Sequence, residues 1–434
     1  MPFPPPVAGE QHLFLGASRQ VVASFLHLAV SLVMARFLSV GALLVFSYFV
    51  GPEPFASYGF YIAIVTILWI GVFGCYEQAL FVCPDHEIAP IARLSCTVAA
   101  LVIAVVALVC LIIAMVHPGF LDTLDGFSLV IVAIPFALAA RASHRLLSNM
   151  ATRAGTFVLV ARSNWAQASV QGCLLLALLA AGMPAIVCLV VADVAGLAAV
   201  TAIIAAKLPQ CRSILLANVP RSALLSCARS WAAMPSWRLP MSLTSVAALS
   251  LPALTLPLFF PAVLAGQLVF AMRILEIPSN VISDAASPMF QSQLSSRQRS
   301  RRFAVRAVVA LTALAVATFG IIAMVAWSLI PAFHETRWAT GLASVAPLVI
   351  YFIGLTISAP LVGSVIGVAV EHSAAMWQLV FLGLSAGAVA LMAGGLPLFW
   401  VLVAFGMASL LRALLFGKLY LRQYPREGVE QYGA

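Results

Sequence analysis

The sequence predicts an all-α polytopic membrane protein with about twelve transmembrane helices. Of its 434 residues, 63% are hydrophobic and only 9% are charged, whereas a soluble domain is about one-quarter charged. Apolar runs of about 20 residues, long enough to cross a bilayer as a helix, recur along the whole chain. Bilayer hydrocarbon admits only helices and closed barrels, and barrel strands are alternating segments of about ten residues. Because the runs are longer and unbroken, we expect helices.

The predicted spans form two halves of six. They lie near residues 30–50, 59–82, 94–116, 127–148, 155–181, 185–206, 239–260, 264–290, 304–330, 341–366, 374–394 and 397–417. The segment Leu13 to Ala35 is expected to be an interfacial helix or a tilted extension of the first span. The expected organisation is an N-terminal extension (1–34), a six-helix bundle (35–206), a central cytoplasmic loop (207–238), and a second six-helix bundle with a cytoplasmic tail (239–434).

The basic residues indicate the orientation. With the N-terminus in the cytoplasm, 19 of the 23 basic residues fall inside and one, Arg337, outside. This follows the positive-inside rule and predicts an inner-membrane protein with both termini in the cytoplasm. The net charge of +9 is then mainly topological rather than a sign of nucleic-acid binding; lipid head-group contact is the alternative. The inside residues are Arg19, Arg93, Arg141, Arg145, Arg153, Lys207, Arg212, Arg221, Arg229, Arg238, Arg297, Arg299, Arg301, Arg302, Arg306, Arg412, Lys418, Arg422 and Arg426.

A short pattern repeats at matching corners of the two halves. Pro54 and Gly59 precede the second span, and Pro261 and Gly266 have the same spacing after the seventh, at an offset of 207 residues. This spacing indicates a duplicated transporter built from parallel repeats.

The predominance of arginine over lysine, together with the high alanine content, is typical of a GC-rich bacterial genome. The Pro-rich N-terminus has no basic region, so no cleaved signal peptide is expected.

Two motifs carry a resemblance to a known family. FVGPEPF at 49–55, followed by Tyr58 and Gly59, resembles the "lGpeeFGly" corner of bacterial oligosaccharide flippases. GQLVFAMRILEIP at 266–278 resembles their second-half pattern "G-x-y-x-x-a-x-r-i-l-x-x-P". These flippases are polysaccharide biosynthesis proteins of the multidrug/oligosaccharidyl-lipid/polysaccharide exporter superfamily.

The resemblance implies two six-helix bundles around a central cavity and transport by alternating access. It also implies a substrate, an undecaprenyl-diphosphate-linked oligosaccharide repeat unit that is exported for O-antigen, capsule or exopolysaccharide synthesis. Membrane lipids, and the polymerase and chain-length proteins of the same pathway, are the implied partners.

Polar side chains in the eighth span form one stripe. An ionised group at the bilayer centre costs about 3 kcal/mol on insertion scales, so it marks a candidate site. Arg273 and Glu276, three residues apart, can pair, and Arg273 is the candidate that attracts a diphosphate or an acidic sugar. Packing of the stripe against a neighbouring helix is the alternative. The stripe consists of Arg273, Glu276, Asn280, Asp284, Ser287 and Gln291.

A second stripe lies in the fifth span, where Asn164, Gln167 and Gln171 accompany Trp165. Amides beside an indole suit sugar hydroxyls and ring faces, but interhelical hydrogen bonds would explain them equally well. Arg36 could face the cavity, although its position favours a role in marking the start of the first span.

Three intramembrane acids are candidates for ion coupling. Asp193 is alone near the middle of the sixth span, so it could exchange a proton; Glu276 and Glu77 are candidates of the same type, with a proton or sodium as the coupling ion. A neutral carboxyl bonded to a neighbouring helix is the alternative.

Motifs for enzymes are absent from the sequence. It has no phosphate-binding glycine loop, no His/Cys/carboxylate cluster and no nucleophile motif, so catalytic residues, metals and cofactors are not expected. The rival functions are a multidrug or metabolite exporter of the same superfamily, and a membrane-embedded polysaccharide polymerase or ligase. The outer connections are too short to hold the catalytic surface that a polymerase or ligase needs.

Overall fold

The computed structural model describes residues 34–81, 83–116, 127–295, 301–333, 336–365 and 371–424, and in these ranges the chain is helical with short connections. The predicted extension before the first span lies almost entirely outside the described residues. The N-terminal half contains α1 (Met34–Phe49), α2 (Glu53–Gly71), α3 (Ile88–Val116), α4 (Phe127–Arg153), α5 (Phe157–Ala180) and α6 (Ala185–Lys207).

The segment between the halves contains α7 (Pro209–Leu216), α8 (Arg221–Ser230) and a π-helical turn (Met234–Arg238). The C-terminal half contains α9 (Leu239–Phe259), α10 (Ala262–Ser295), α11 (Arg301–Phe333), the short α12 (Ala339–Ala343), α13 (Val345–Val365), α14 (Glu371–Ala393) and α15 (Leu398–Arg422).

The described helices confirm the all-α polytopic prediction. Ten of them are long and apolar enough to cross a membrane, and α5 and the shorter apolar α1 bring the number to the predicted twelve. Large apolar side chains on α3 point outward: Leu101 is 66% exposed, Leu108 57% and Met115 74%. Because a soluble protein would not expose so long an apolar surface, these side chains are covered by lipid.

The second span ends earlier than predicted. Its helix α2 stops at Gly71, and Gly74 and Cys75 adopt φ values of 60° and 64°. Two consecutive left-handed residues cannot continue a right-handed helix. The chain therefore turns and forms a short 3₁₀ helix (Tyr76–Phe81), which carries Glu77.

A second internal repeat appears at two hairpin corners. Gly182 between α5 and α6 has φ 73°, and Gly395 between α14 and α15 has φ 78°. Each glycine is followed two residues later by a proline, Pro184 or Pro397, which immediately precedes the next helix. Glycine is the residue that adopts this left-handed conformation without strain. The equivalence of the corners supports the duplicated architecture.

The two halves meet along α2, which packs against α9 and α10. Both glycines of the sequence repeat lie at this contact. A Cβ atom on Gly266 of α10 would lie 1.8 Å from the carbonyl oxygen of Pro52, and one on Gly59 of α2 would lie 2.6 Å from the Val269 side chain. The repeated glycines therefore allow the backbones of the two halves to approach closely.

Candidate functional site

Asp193 of α6 forms an ion pair with Arg141 of α4. Arg141 Nη2 lies 2.8 Å from Asp193 Oδ2, and the hydroxyl of Tyr61 on α2 donates to the same oxygen at 3.3 Å. The side chain of Asp193 is 8% exposed and that of Arg141 is 20% exposed. Three helices therefore converge on one carboxylate.

The prediction that Asp193 stands alone is wrong. Helix α4 continues to Arg153. Arg141 therefore lies twelve residues, about 18 Å, inside the end of the helix.

A second buried pair lies further along α4. Arg145 Nη2 is 2.7 Å from Glu77 Oε1, and the Glu77 side chain is 1% exposed. The Arg145 guanidinium also lies over the ring of Trp69 on α2, 4.7 Å from its centroid. The sequence counts Arg145 among the cytoplasmic basic residues, and the structure adds that it pairs with a buried acid. Arg141 and Arg145 are four residues apart, so they lie on one face of α4.

Arg273 and Glu276 of α10 form the pair that their spacing allows, with Arg273 Nη1 2.8 Å from Glu276 Oε2. Their side chains are 26% and 40% exposed, so this pair is more accessible than the two buried pairs of the N-terminal half, Arg141–Asp193 and Arg145–Glu77. With 100° between successive residues, Arg273 and Glu276 lie on the same side of α10 as Gly266 and Val269. Since Gly266 and Val269 contact the α2 segment, the polar stripe faces the N-terminal half.

Tyr58 connects the two halves of the site. It is 7% exposed and its ring stacks on that of Tyr61, with centroids 5.9 Å apart. Tyr58 lies close enough to both the Arg141–Asp193 and the Arg273–Glu276 pairs to experience their charges. We call these residues the central polar cluster: Tyr58, Tyr61, Arg141, Asp193, Arg273 and Glu276.

The other candidates of the eighth and first spans have more peripheral positions. Asn280 is half-buried on the same stripe of α10. The backbone of Asp284 belongs to α10, but its side chain lies outside the described part of the chain. Arg36 is exposed in the first turn of α1. Its location fits a residue that marks the start of the first span.

The amides of the fifth span pack against α6. Gln167 and Gln171 contact Gly196, which is one turn beyond Asp193, and Asn164 is half-buried. This contact supports the helix-packing interpretation of Gln167 and Gln171, and their part in sugar binding stays a prediction.

Arg412 is a buried residue that the sequence reasoning missed, because it was assigned to the cytoplasmic side. It is 3% exposed in α15. Its Nη2 donates to Ser245 Oγ of α9 at 2.7 Å, and its guanidinium lies 4.8 Å from the ring centroid of Phe381 on α14. Its Nε and Nη1 have no hydrogen-bond partner among the described residues. The sequence signal was present, since Arg412 falls inside the predicted span 397–417.

Among the described residues, no group of three or more His, Cys, Asp and Glu could hold a metal ion. The cluster instead contains two arginines, each held by a carboxylate, together with two tyrosines. Arginine binds phosphate and carboxylate oxygens with two parallel hydrogen bonds. An anion can therefore compete with Asp193 or Glu276 for its arginine.

Comparison with known proteins identifies the fold through structure rather than sequence. No protein-family model matches the sequence, and no curated protein matches it. A mutant of the Vibrio cholerae MATE transporter VcmN is similar, with 15% identity, a TM-score of 0.55, and coverage of 92% of this chain and 98% of that one. The eukaryotic MATE transporter AtDTX14 is 14% identical with a TM-score of 0.61, covering 93% and 97%.

A MOP superfamily transporter from Pyrococcus furiosus is 12% identical with a TM-score of 0.52, covering 92% and 95%. MATE transporters belong to this superfamily. The chain has the fold of a MOP superfamily transporter. The fold is the one that the sequence resemblance implies, and the solved structures named above that share it are transporters.

Proposed function

We propose that the protein is an alternating-access transporter that flips an undecaprenyl-diphosphate-linked oligosaccharide across the bacterial inner membrane, with both termini in the cytoplasm. One observation carries the proposal. Two arginine–carboxylate pairs, one in each half, adjoin the α2–α10 contact: Tyr61 of α2 bonds to Asp193, and Arg273–Glu276 lies on the side of α10 that contacts α2. This is where a substrate would contact both halves during alternating access.

The charges of the described helices favour an anionic substrate. Arg141, Arg145 and Arg273 are each paired with one acid, whereas Arg412 is buried without an acidic partner among the described residues. Among the side chains that the structure describes in these pairs and at Arg412, the positive charges outnumber the negative ones by one. The Pyrococcus furiosus transporter is described as having a binding pocket of reverse polarity that suggests a different function. We infer that pocket polarity also separates substrate classes for this chain.

Asp193 is the group that we propose for coupling, and the proton is the ion that suits it. Arg141 lies 2.8 Å away and would repel a bound sodium ion, whereas a proton only neutralises the carboxylate. Within the described part of the chain, Tyr61 and Tyr58 of α2 are the other titratable groups that interact with Asp193. Protonation of Asp193 breaks the ion pair and releases Arg141, whose guanidinium then binds the diphosphate.

A flipping assay tests this proposal. Purified protein is reconstituted into liposomes with a fluorescent polyprenyl-diphosphate oligosaccharide, and its appearance in the opposite leaflet is followed by quenching. Wild type is expected to flip the lipid, and Arg273→Ala to slow flipping about tenfold or more, because a charge-assisted hydrogen bond contributes about 1.5–3 kcal/mol. Arg162→Ala is the matched control, since Arg162 is exposed on α5. Equal rates for wild type and Arg273→Ala would remove Arg273 from the mechanism.

A second candidate, export of a drug or metabolite, is favoured by the similarity to MATE transporters. Cationic drugs would need an acidic site, and every acid of the central polar cluster is neutralised by an arginine. The same liposomes, loaded with a cationic dye, separate the two functions. Dye transport without lipid flipping would establish the second candidate.

A further inference from the structure

A groove of about 800 Å³ lies on the C-terminal half, between α11, α13 and α15. It is separate from the central polar cluster, which is built on α2, α4, α6 and α10. Most of its lining is apolar and includes Val308 and Val316 of α11, Ile353 and Ile357 of α13, and Leu414 of α15. Val316 and Leu414 are 50% and 72% exposed, so the groove opens sideways toward the bilayer hydrocarbon.

One end of the groove is strongly basic. Arg301, Lys418 and Arg422 line it, and no acidic residue is among its lining side chains in the described part of the chain. Arg301 begins α11, whereas Lys418 and Arg422 lie in the last two turns of α15. The two helices contribute their basic ends to the same end of the groove, where the bundle meets the membrane surface.

The depth of the groove matches one leaflet. Val316 lies fifteen residues beyond Arg301, which is about 22 Å along the helix. With its polar head-group regions a bilayer is about 40–45 Å thick, so each leaflet contributes about 20–22 Å. A molecule with its head at Arg301 and its tail beside Val316 would therefore span one leaflet.

We propose that this groove binds an anionic phospholipid, with the phosphate head group at Arg301, Lys418 and Arg422 and an acyl chain along α13. Basic pockets between transmembrane helices bind such head groups, and each basic residue near the surface strengthens the attraction. The floor of the groove, α13, also packs against α10, where Thr356 Oγ1 lies 2.8 Å from Ser279 Oγ. The bound lipid would thus stabilise the position of α13, which packs against the helix that carries the polar stripe, α10.

The experiment uses the full-length protein in nanodiscs that contain phosphatidylglycerol and phosphatidylcholine in equal amounts, with retained lipids counted by native mass spectrometry. Wild type is expected to retain phosphatidylglycerol preferentially, and Arg301→Gln/Lys418→Gln/Arg422→Gln to lower that preference about tenfold. The matched control, Lys207→Gln/Arg221→Gln/Arg229→Gln, removes the same three charges from the end of α6 and from α8 and is expected to retain the wild-type preference. An unchanged preference in the first variant, or an equal loss in the control, would overturn the proposal.

A second pair of variants tests the apolar part of the groove with the charges intact. A Cβ atom on Gly417, which lines the groove, would make an ordinary contact 3.9 Å from Leu361 Cδ1. Gly417→Ala is therefore expected to retain the lipid and Gly417→Leu, which fills the groove, to retain about tenfold less. Free glycerol phosphate should not displace the lipid from wild type. Displacement by glycerol phosphate, or tighter retention of a polyprenyl diphosphate than of phosphatidylglycerol, would contradict the assignment.

Discussion

The two halves of the molecule bury charge in different ways. In the N-terminal half, Asp193 and Glu77 are each within 2.8 Å of an arginine on α4. In the C-terminal half, Arg412 is buried against Ser245 and Phe381, with no acidic partner among the described residues. The halves share a pair of equivalent hairpin corners, at Gly182 and Gly395, but they differ in the side chains that surround their buried charges.

The two kinds of burial differ in whether a proton can change the charges. A carboxylate paired with arginine becomes neutral when it takes up a proton, and its partner is then free to bind another anion. The charge of Arg412 is not removed in this way, because arginine stays protonated in proteins. Among the buried groups, those of the N-terminal half therefore carry charges that a proton can rearrange, and Arg412 of the C-terminal half carries a fixed one. The Arg273–Glu276 pair of the C-terminal half is more exposed than either buried pair.

The largest expected effect follows from removing one partner of the buried N-terminal pair. Asp193→Asn leaves Arg141 without a counter-charge and is expected to lower the free energy of unfolding by about 3 kcal/mol. Arg141→Met/Asp193→Leu, which removes both charges, should recover most of that loss. Denaturant or thermal unfolding of the purified protein measures both, with Asp85→Asn as a control, since Asp85 is 94% exposed in its pair with Arg153. A double variant as unstable as the single one would show that the pair itself is not the cause.

A smaller loss is expected at the second pair. Glu77→Gln removes the partner of Arg145, but the Trp69 ring still faces the guanidinium. We expect a loss of about 2 kcal/mol, less than for Asp193→Asn, because the ring compensates part of the charge. Combining Glu77→Gln with Trp69→Leu should increase the loss beyond the sum of the two single variants. Strict additivity would mean that Trp69 does not compensate for Glu77.

The opposite sign is expected in the C-terminal half. Arg412→Met removes a charge that is buried without an acid and replaces it with an apolar side chain of similar length. The free energy of unfolding is expected to stay unchanged or to rise by about 1 kcal/mol. A loss as large as that for Asp193→Asn would contradict the comparison of the halves and would indicate that Arg412 has an acidic partner.

The fold was largely predictable from sequence because hydrophobic length and sidedness are local properties. The span count, the division into halves and the Arg273–Glu276 spacing all follow from short windows. The partners of Asp193 and Glu77 were not predictable, because Arg141 and Arg145 lie close in sequence to Arg153 and were counted with it among the predicted cytoplasmic residues. Arg412 was likewise predicted to lie on the cytoplasmic side, although it falls within the predicted span 397–417. The sequence did contain one signal for these ion pairs. Arg141 and Arg145 lie four residues apart inside the predicted span 127–148, and two other spans each contain an isolated acid, Glu77 and Asp193.

The most direct test measures how a water-soluble, short-chain prenyl-diphosphate oligosaccharide binds to the purified protein. The account predicts that Asp193→Asn binds it more tightly than wild type, because the neutral amide no longer holds Arg141 by its charge. Glu77→Gln should bind like wild type. Binding by Asp193→Asn that equals wild-type binding or is weaker would contradict the account.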